Sequence, residues 1–255
     1  GLTWDNYHTF NFGTGTDIFS PGVICVKDTL IYSYILDHPA SNEMRTWTIV
    51  ATPGPGYSAI YWGSPTGDFN NLEYTDIDVT TDYPVYTELY VYATWIESYG
   101  SAPDSTRVMA AVSQELDVSS WERDSIRLNK TTGADIYYED VGIAYGSGTD
   151  AMWIVSTLHP YNYPTSYDEL IKGNYSNDYG SSWEKVDITP SDNHKDEFQP
   201  SIAGSHINTN WVVLCTQQDT SGIGTPDVIN NYSTDDTLWT LSGWVAPYDE
   251  FLPDV

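Results

Sequence analysis

Thirty-six Asp and Glu, four Arg, five His and two Cys are the groups in this 255-residue chain from which a reactive site could be built. Two carboxylates flanking a glycosidic bond are one chemistry such a set allows. Asp17, Asp135, Asp196 and Asp249 stand at candidate strand starts. They recur from repeat to repeat, whereas a catalytic group is needed once, so they read as strand-initiating or turn-capping groups. Asp76/Asp78 and Asp235/Asp236 could hold calcium through carboxylates and carbonyls. No EF-hand spacing is present, and a solvated acidic loop is the plainer reading. His8, His38, His159, His194 and His206 show no paired ligand spacing. No metal or other cofactor is therefore assigned, with calcium as the one alternative. Asp192-Asn193-His194-Lys195-Asp196 reads as a loop between repeats. The segment from His159 to Tyr167 places Tyr161, Tyr163 and Tyr167 among Asn, Ser and Pro. Aromatics with small polar residues on a loop suit sugars or protein partners. The other reading is that the rings cover a sheet edge. Tyr57, Tyr61, Trp62, Trp95 and Tyr99 could extend such a face.

The elements that position these groups must form in a strongly acidic chain. Nine Lys and Arg against 36 Asp and Glu leave a formal charge of −27. That field repels phosphate backbones and anionic membranes, so no nucleic-acid partner is expected and anionic membrane surfaces are disfavoured. No run approaches the roughly 18 apolar residues of a membrane span. Hydrophobic residues make up 40% and aromatics 15%, too rich for disorder. The 10 Trp and 21 Tyr against 6 Phe suit half-exposed strands and binding faces. The start at Gly1-Leu2-Thr3-Trp4 reads as a mature or trimmed beginning. Cys25 and Cys215 lie in apolar runs and read as two buried free thiols, a single long-range bridge being the alternative. Sequons occur at Asn129, Asn174 and Asn231. The acidity fits a secreted or cell-surface protein.

The chain repeats itself. The string starting at Asp17 (Asp-Ile-Phe-Ser-Pro-Gly-Val) returns at Asp135, Asp196 and Asp249, with starts 118, 61 and 53 residues apart. A degraded copy is placed at Thr80–Tyr86, since 118 is twice 59. Apolar, β-rich runs follow the first four copies at Leu30, Leu89, Met152 and Trp211, spaced 59, 63 and 59 residues. Near-continuous apolar runs mark strands covered on both faces. A Trp after a polar turn recurs at Trp4, Trp121, Trp183 and Trp239. Helical periodicity is nearly absent, and Tyr167–Lys172 is assigned to a third strand by its place in the repeat. Units of about 60 residues with three or four strands make an all-β propeller, because stacked units bury faces that one alone leaves open. A β-sandwich explains the strands but not the period.

Residues 176–183, Ser-Asn-Asp-Tyr-Gly-Ser-Ser-Trp, resemble the Asp box of sialidase-like (BNR-repeat) β-propellers. In that motif Asp178 accepts backbone N–H bonds in a tight hairpin, Gly180 takes a positive φ, and Trp183 packs between sheets. Ser176 completes the structural set. The box is degraded at 113–121 and 233–239, and Gly1–Trp4 looks like the end of another; Ser64–Phe69 takes its place in the first repeat. The resemblance implies four-stranded blades at 17–78, 79–134, 135–195 and 196–248. Residues 1–16 would then be the outer strand of a preceding blade and 249–255 the start of the next, in an incomplete window of a larger propeller.

The resemblance also implies a catalytic set to look for: three Arg clamping a carboxylate, a Tyr–Glu pair and an Asp. No Phe/Tyr-Arg-Ile-Pro segment occurs, and Arg45, Arg107, Arg123 and Arg127 are the complete supply, the last two close together on one outer strand. No catalytic residue is assigned. The expectation is a non-catalytic extracellular propeller module of a larger secreted or cell-surface protein. It would bind glycan or protein, or build an assembly by self-association; a sorting-receptor or assembly-factor role belongs to the same class. The alternative is a sialidase-like glycoside hydrolase whose catalytic residues lie partly outside this segment.

Overall fold

A computed structural model describes residues 15–26, 29–38, 41–51, 57–63, 72–79, 90–98, 106–113, 121, 136–146, 151–160, 169–178, 180–189, 195–205, 208–219, 227–235 and 238–242. All regular structure among them is β-strand. The first sheet contains β1 (Asp17–Val26), β2 (Thr29–His38), β3 (Ser41–Ala51) and β4 (Tyr57–Gly63). The second contains β5 (Leu72–Val79), β6 (Val91–Ser98) and β7 (Thr106–Ser113). The third contains β8 (Ile136–Gly146), β9 (Ala151–Pro160), β10 (Leu170–Ser176) and β11 (Glu184–Asp187). The fourth contains β12 (Lys195–Gly204), β13 (Trp211–Asp219), β14 (Asp227–Ser233) and β15 (Trp239–Ser242). Each sheet is an antiparallel meander in chain order, so every strand pairs with its sequence neighbours. The four first strands converge on one cavity of about 270 Å³ lined by residues of β1, β5, β8 and β12. This is the arrangement of propeller wedges about an axis.

The repeating landmark at the axis is a bulge rather than a residue string. Register slips between Phe19 and Gly22, Glu73 and Thr75, Glu139 and Val141, and Phe198 and Ser201. At these slips Ser20, Tyr74, Asp140 and Gln199 hold φ of 53°, 44°, 49° and 55°. A bulge adds local twist to a first strand. A left-handed backbone at a non-glycine residue costs about 1–2 kcal/mol, so four equivalent copies point to an architectural need.

This landmark revises the sequence alignment in two places. The second sheet begins at Leu72, so a division at 78/79 cuts the end of β5 instead of falling between wedges. The bulge pairs Asp140 with Ser20, which shifts the string read from Asp135 by two residues. Thr80–Tyr86, the expected degraded copy, lies outside the described residues, as do 1–14 and 249–255.

Three junctions carry the core. Ile35 and Met44 of the first sheet meet Leu72, Ala93, Trp95 and Met109 of the second. Tyr92, Ile96 and Val108 meet Tyr138, Ile143 and Ile154 of the third. Trp153, Val155 and Ile171 meet Trp211, Val213 and Cys215 of the fourth. The second strands of the two inner sheets, β6 and β9, are covered on both sides, which is why they read as unbroken apolar runs. Trp153 is fully buried, 5.1 Å edge-on from Trp239 and 6.2 Å from Trp211. Gly146 stands where a Cβ would lie 2.6 Å from the Trp211 ring, so the close approach of β8 to that indole requires glycine.

Hydrogen bonds from side chains and backbone also pin neighbouring wedges. The Thr75 amide donates to Ser20 Oγ at 2.7 Å, and Thr75 Oγ1 donates to the Ser20 carbonyl at 3.0 Å. The Glu197 amide donates to the Glu169 carbonyl at 3.0 Å, and the Glu169 amide to Asp196 Oδ1 at 3.1 Å.

Candidate functional site

The 176–183 hairpin is built by its side chains. Ser176 Oγ donates to Asp178 Oδ1 at 2.8 Å and accepts the Gly180 amide at 2.9 Å. Asp178 Oδ1 accepts the Ser182 amide at 2.8 Å and Oδ2 the Ser182 hydroxyl at 2.6 Å. Gly180 has φ 85°, and its carbonyl accepts Trp183 Nε1 at 3.0 Å. Desolvation raises the Asp178 carboxyl, but bonds from Ser182, Ser176 and Ser181 outweigh it and hold the group below its ordinary value. Trp183 packs into the junction between the second and third sheets, beside Tyr92. The degraded copy keeps the same logic: Asp235 Oδ1 accepts the Leu238 amide at 2.9 Å, and Trp239 packs into the next junction. Trp121 likewise packs between the first and second sheets. This hairpin lies where the third strand ends, opposite the end at which first strands begin.

At that other end two acids break the apolar pattern. Glu97 of β6 stands opposite Leu72 of β5 and is 3% exposed. Arg107, across the ladder on β7, donates through Nε to Glu97 Oε1 and forms an ion pair with it. Trp95 Nε1 donates to Glu97 Oε2 at 3.4 Å. In the third sheet the equivalent pair is Leu158 and Leu170. Glu197 of β12 is fully buried where Leu72 stands in the second sheet, and Gln217 Nε2 donates to its Oε1 at 2.7 Å. Glu97 and Glu197 therefore sit at one level of the ring, two wedges apart. Burial, reinforced by the Glu197 charge, pushes the Cys215 thiol far up. Neither Glu was singled out from sequence; the signal available was a lone charge closing an apolar run, Thr94-Trp95-Ile96-Glu97.

A third polar feature faces the axis. Asp76 Oδ2 accepts the Ile143 amide at 2.8 Å, and Asp78 Oδ2 accepts the Tyr145 amide at 2.7 Å. Asp76 Oδ1 also accepts the Ile77 amide at 2.8 Å. Asp76 and Asp78, read from sequence as a solvated acidic loop with calcium as the alternative, lie instead within β5 and act as acceptors toward β8. By register their counterparts are Gly22, Gly142 and Ser201, and Ile24, Ala144 and Ala203. Among the described residues no group of three or more His, Cys, Asp or Glu converges as a metal site would require.

The remaining sequence candidates separate. Tyr161, Tyr163 and Tyr167 lie outside the described residues, as do Asp135, Asp249, Asp236, Arg123, Arg127 and Asn129. Asp17 is exposed at the start of β1 opposite Asp37, and Asp196 bridges two wedges. Both cysteines are free, but only Cys215 is buried. Cys25 is exposed because it lies on the side of the first sheet that no described wedge covers. Asn174 and Asn231, the asparagines of two sequons, are 0% and 1% exposed in mid-strand and cannot accept a glycan in the folded chain. Each precedes by two residues the Ser that opens a box, so the tripeptide belongs to the repeat.

No protein family matches this sequence, and no curated protein does. Solved structures match its fold. An α-L-arabinofuranosidase of Fusarium graminearum, in complex with an iminosugar inhibitor, aligns with TM-score 0.57 at 11% identity, over 88% of this chain and 66% of that one. Trypanosoma rangeli sialidase aligns with TM-score 0.55 at 11% identity, over 88% and 38%. A Dyadobacter fermentans protein of unknown function aligns with TM-score 0.52 at 11% identity, over 91% and 71%. The chain spans just under two thirds of the arabinofuranosidase and under two fifths of the sialidase. The likeness is one of fold: an all-β propeller of the kind seen in the matched arabinofuranosidase and sialidase.

Proposed function

We propose that this chain forms part of a non-catalytic glycan-binding propeller in a larger secreted or cell-surface protein. The observation that carries this reading is the commitment of Glu97. It is buried, ion-paired to Arg107 and bonded by Trp95. Glu197, at the same level, is buried against Gln217. A glycosidase needs two carboxyl groups facing the scissile bond, one of them able to give a proton. Both acids here are turned into wedge junctions instead. Of the four Arg in the chain, Arg107 is already paired with Glu97, so a three-Arg carboxylate clamp would need every one of the other three. The kinship in fold with glycosidases supports a carbohydrate ligand, though fold does not by itself carry function.

A hydrolase is the second reading, favoured by the placement of two acids at one end of the ring. One preparation tests both. A panel of fluorogenic glycosides measures turnover, and an array of immobilised oligosaccharides measures binding. Binding without turnover is the expected result. Turnover abolished by Glu97→Gln or Glu197→Gln would make the protein an enzyme.

A further inference from the structure

We infer that the junction between the second and third wedges encloses an ordered-water site held by Asn174 and Ser156. Asn174 of β10 and Ser156 of β9 are both 0% exposed. Among the described residues, neither Asn174 Oδ1 nor Asn174 Nδ2 nor the Ser156 hydroxyl has a hydrogen-bond partner. Asn174 stands opposite Ile154, and Ser156 lies two residues further along β9, so the two polar groups are diagonal neighbours on one face. Ile154 packs with Tyr92, Ile96 and Val108 of the second sheet, which turns that face into the junction. Polar groups buried dry are costly, and where the protein supplies no partner an ordered water does. An amide and a hydroxyl both donate and accept, as such a water requires of its site.

Three wedges fill this place in three ways. Their third strands end on Ser113, Ser176 and Ser233. Two residues before each serine stand Ala111, Asn174 and Asn231. The diagonal neighbours of these on the second strands are Trp95, Ser156 and Cys215, and each pair faces the preceding wedge. In the second wedge the Trp95 indole occupies the space beside Ala111, and its Nε1 donates to Glu97. In the fourth, Asn231 Nδ2 donates to Cys215 Sγ at 3.9 Å, so that amide has one contact, though a weak one, inside the protein. In the third a hydroxymethyl group stands where the second has an indole, and polar atoms replace apolar ones. Water is small enough for that space and matches its chemistry. Asn174, the asparagine of a sequon buried in mid-strand, thereby has a role inside the fold.

Two measurements on the whole chain test this. A crystal structure of the wild type should show a water within hydrogen-bond distance of both the Asn174 amide and Ser156 Oγ. Magnetic relaxation dispersion of the water oxygen counts waters held longer than the protein takes to tumble. Its amplitude should fall by at least one water in Asn174→Leu, a change close to isosteric that removes the polar atoms. Asn174→Ala/Ser156→Trp carries the arrangement of the second wedge into the third and should lose the same water. Circular dichroism checks that each variant keeps the fold; should neither fold, the wild-type crystal structure decides alone. Asn174 bonded solely to protein atoms in that crystal structure overturns the proposal. So does a dispersion amplitude that a folded Asn174→Leu leaves unchanged.

Discussion

Removing the axial acceptors of the second sheet should loosen one junction and leave the others intact. In Asp76→Ala/Asp78→Ala, the Ile143 and Tyr145 amides lose the carboxylates that now meet them at 2.8 and 2.7 Å. The two residues are 5% and 4% exposed. A buried donor left without a partner costs about 1–3 kcal/mol, so two would cost ~2–6 kcal/mol if both stayed dry. The axial cavity of about 270 Å³ lies alongside and is roomy enough for water. Water entering from it brings the expectation down to ~2–3 kcal/mol. Urea denaturation measures the total, and amide exchange locates it: Ile143 and Tyr145 should lose protection while Val213 and Cys215 keep theirs. Asp76→Asn/Asp78→Asn retains an acceptor oxygen at each position and should recover about half of the loss. If the double alanine variant unfolds at the wild-type midpoint with both amides still protected, the carboxylates do not clamp the wedges, and their departure from the repeat needs another explanation.

Three further outcomes are expected. Gly146→Ala places a methyl 2.6 Å from the Trp211 ring and should destabilise by about 1–3 kcal/mol, with Trp211→Leu in the same chain relieving part of that cost in a double-mutant cycle. The Asp178 carboxyl is held below its ordinary value, so its contribution is whole above the unfolded value near 4 and disappears as pH falls through the lowered folded one; Ser182 amide exchange should accelerate over that window in wild type and show no such step in Asp178→Asn. A thiol reagent should modify one cysteine, Cys25, in the native protein and the second only after denaturation, as the mass of the labelled chain reports.

Local chemistry was legible where a motif carries its own hydrogen-bonding logic. Ser176, Asp178 and Gly180 lie within five residues of one another, and their bonds depend on little beyond the turn. The second strands of the inner sheets, β6 and β9, were legible because burial on both faces forces apolar residues at consecutive positions. The first strands were harder. Their common element is a left-handed residue at a bulge, and Ser20, Tyr74, Asp140 and Gln199 share no side-chain chemistry that would announce it. In the first and fourth sheets Pro21 and Pro200 follow the bulge and made two copies visible, while Thr75 and Val141 follow it in the others. The second sheet was therefore started too late and the third aligned two residues off. Glu97 and Glu197 were missed for a related reason: a carboxylate in an acidic chain is unremarked until its neighbours are known.

From residue order alone came an all-β, repeating architecture and the identity of the box hairpin, since periodicity and turn chemistry are properties of the string. Which carboxylates are buried and which meet backbone amides across a junction were decided only by the tertiary structure. Those properties depend on what a neighbouring wedge, some 60 residues away, brings to the same point in space.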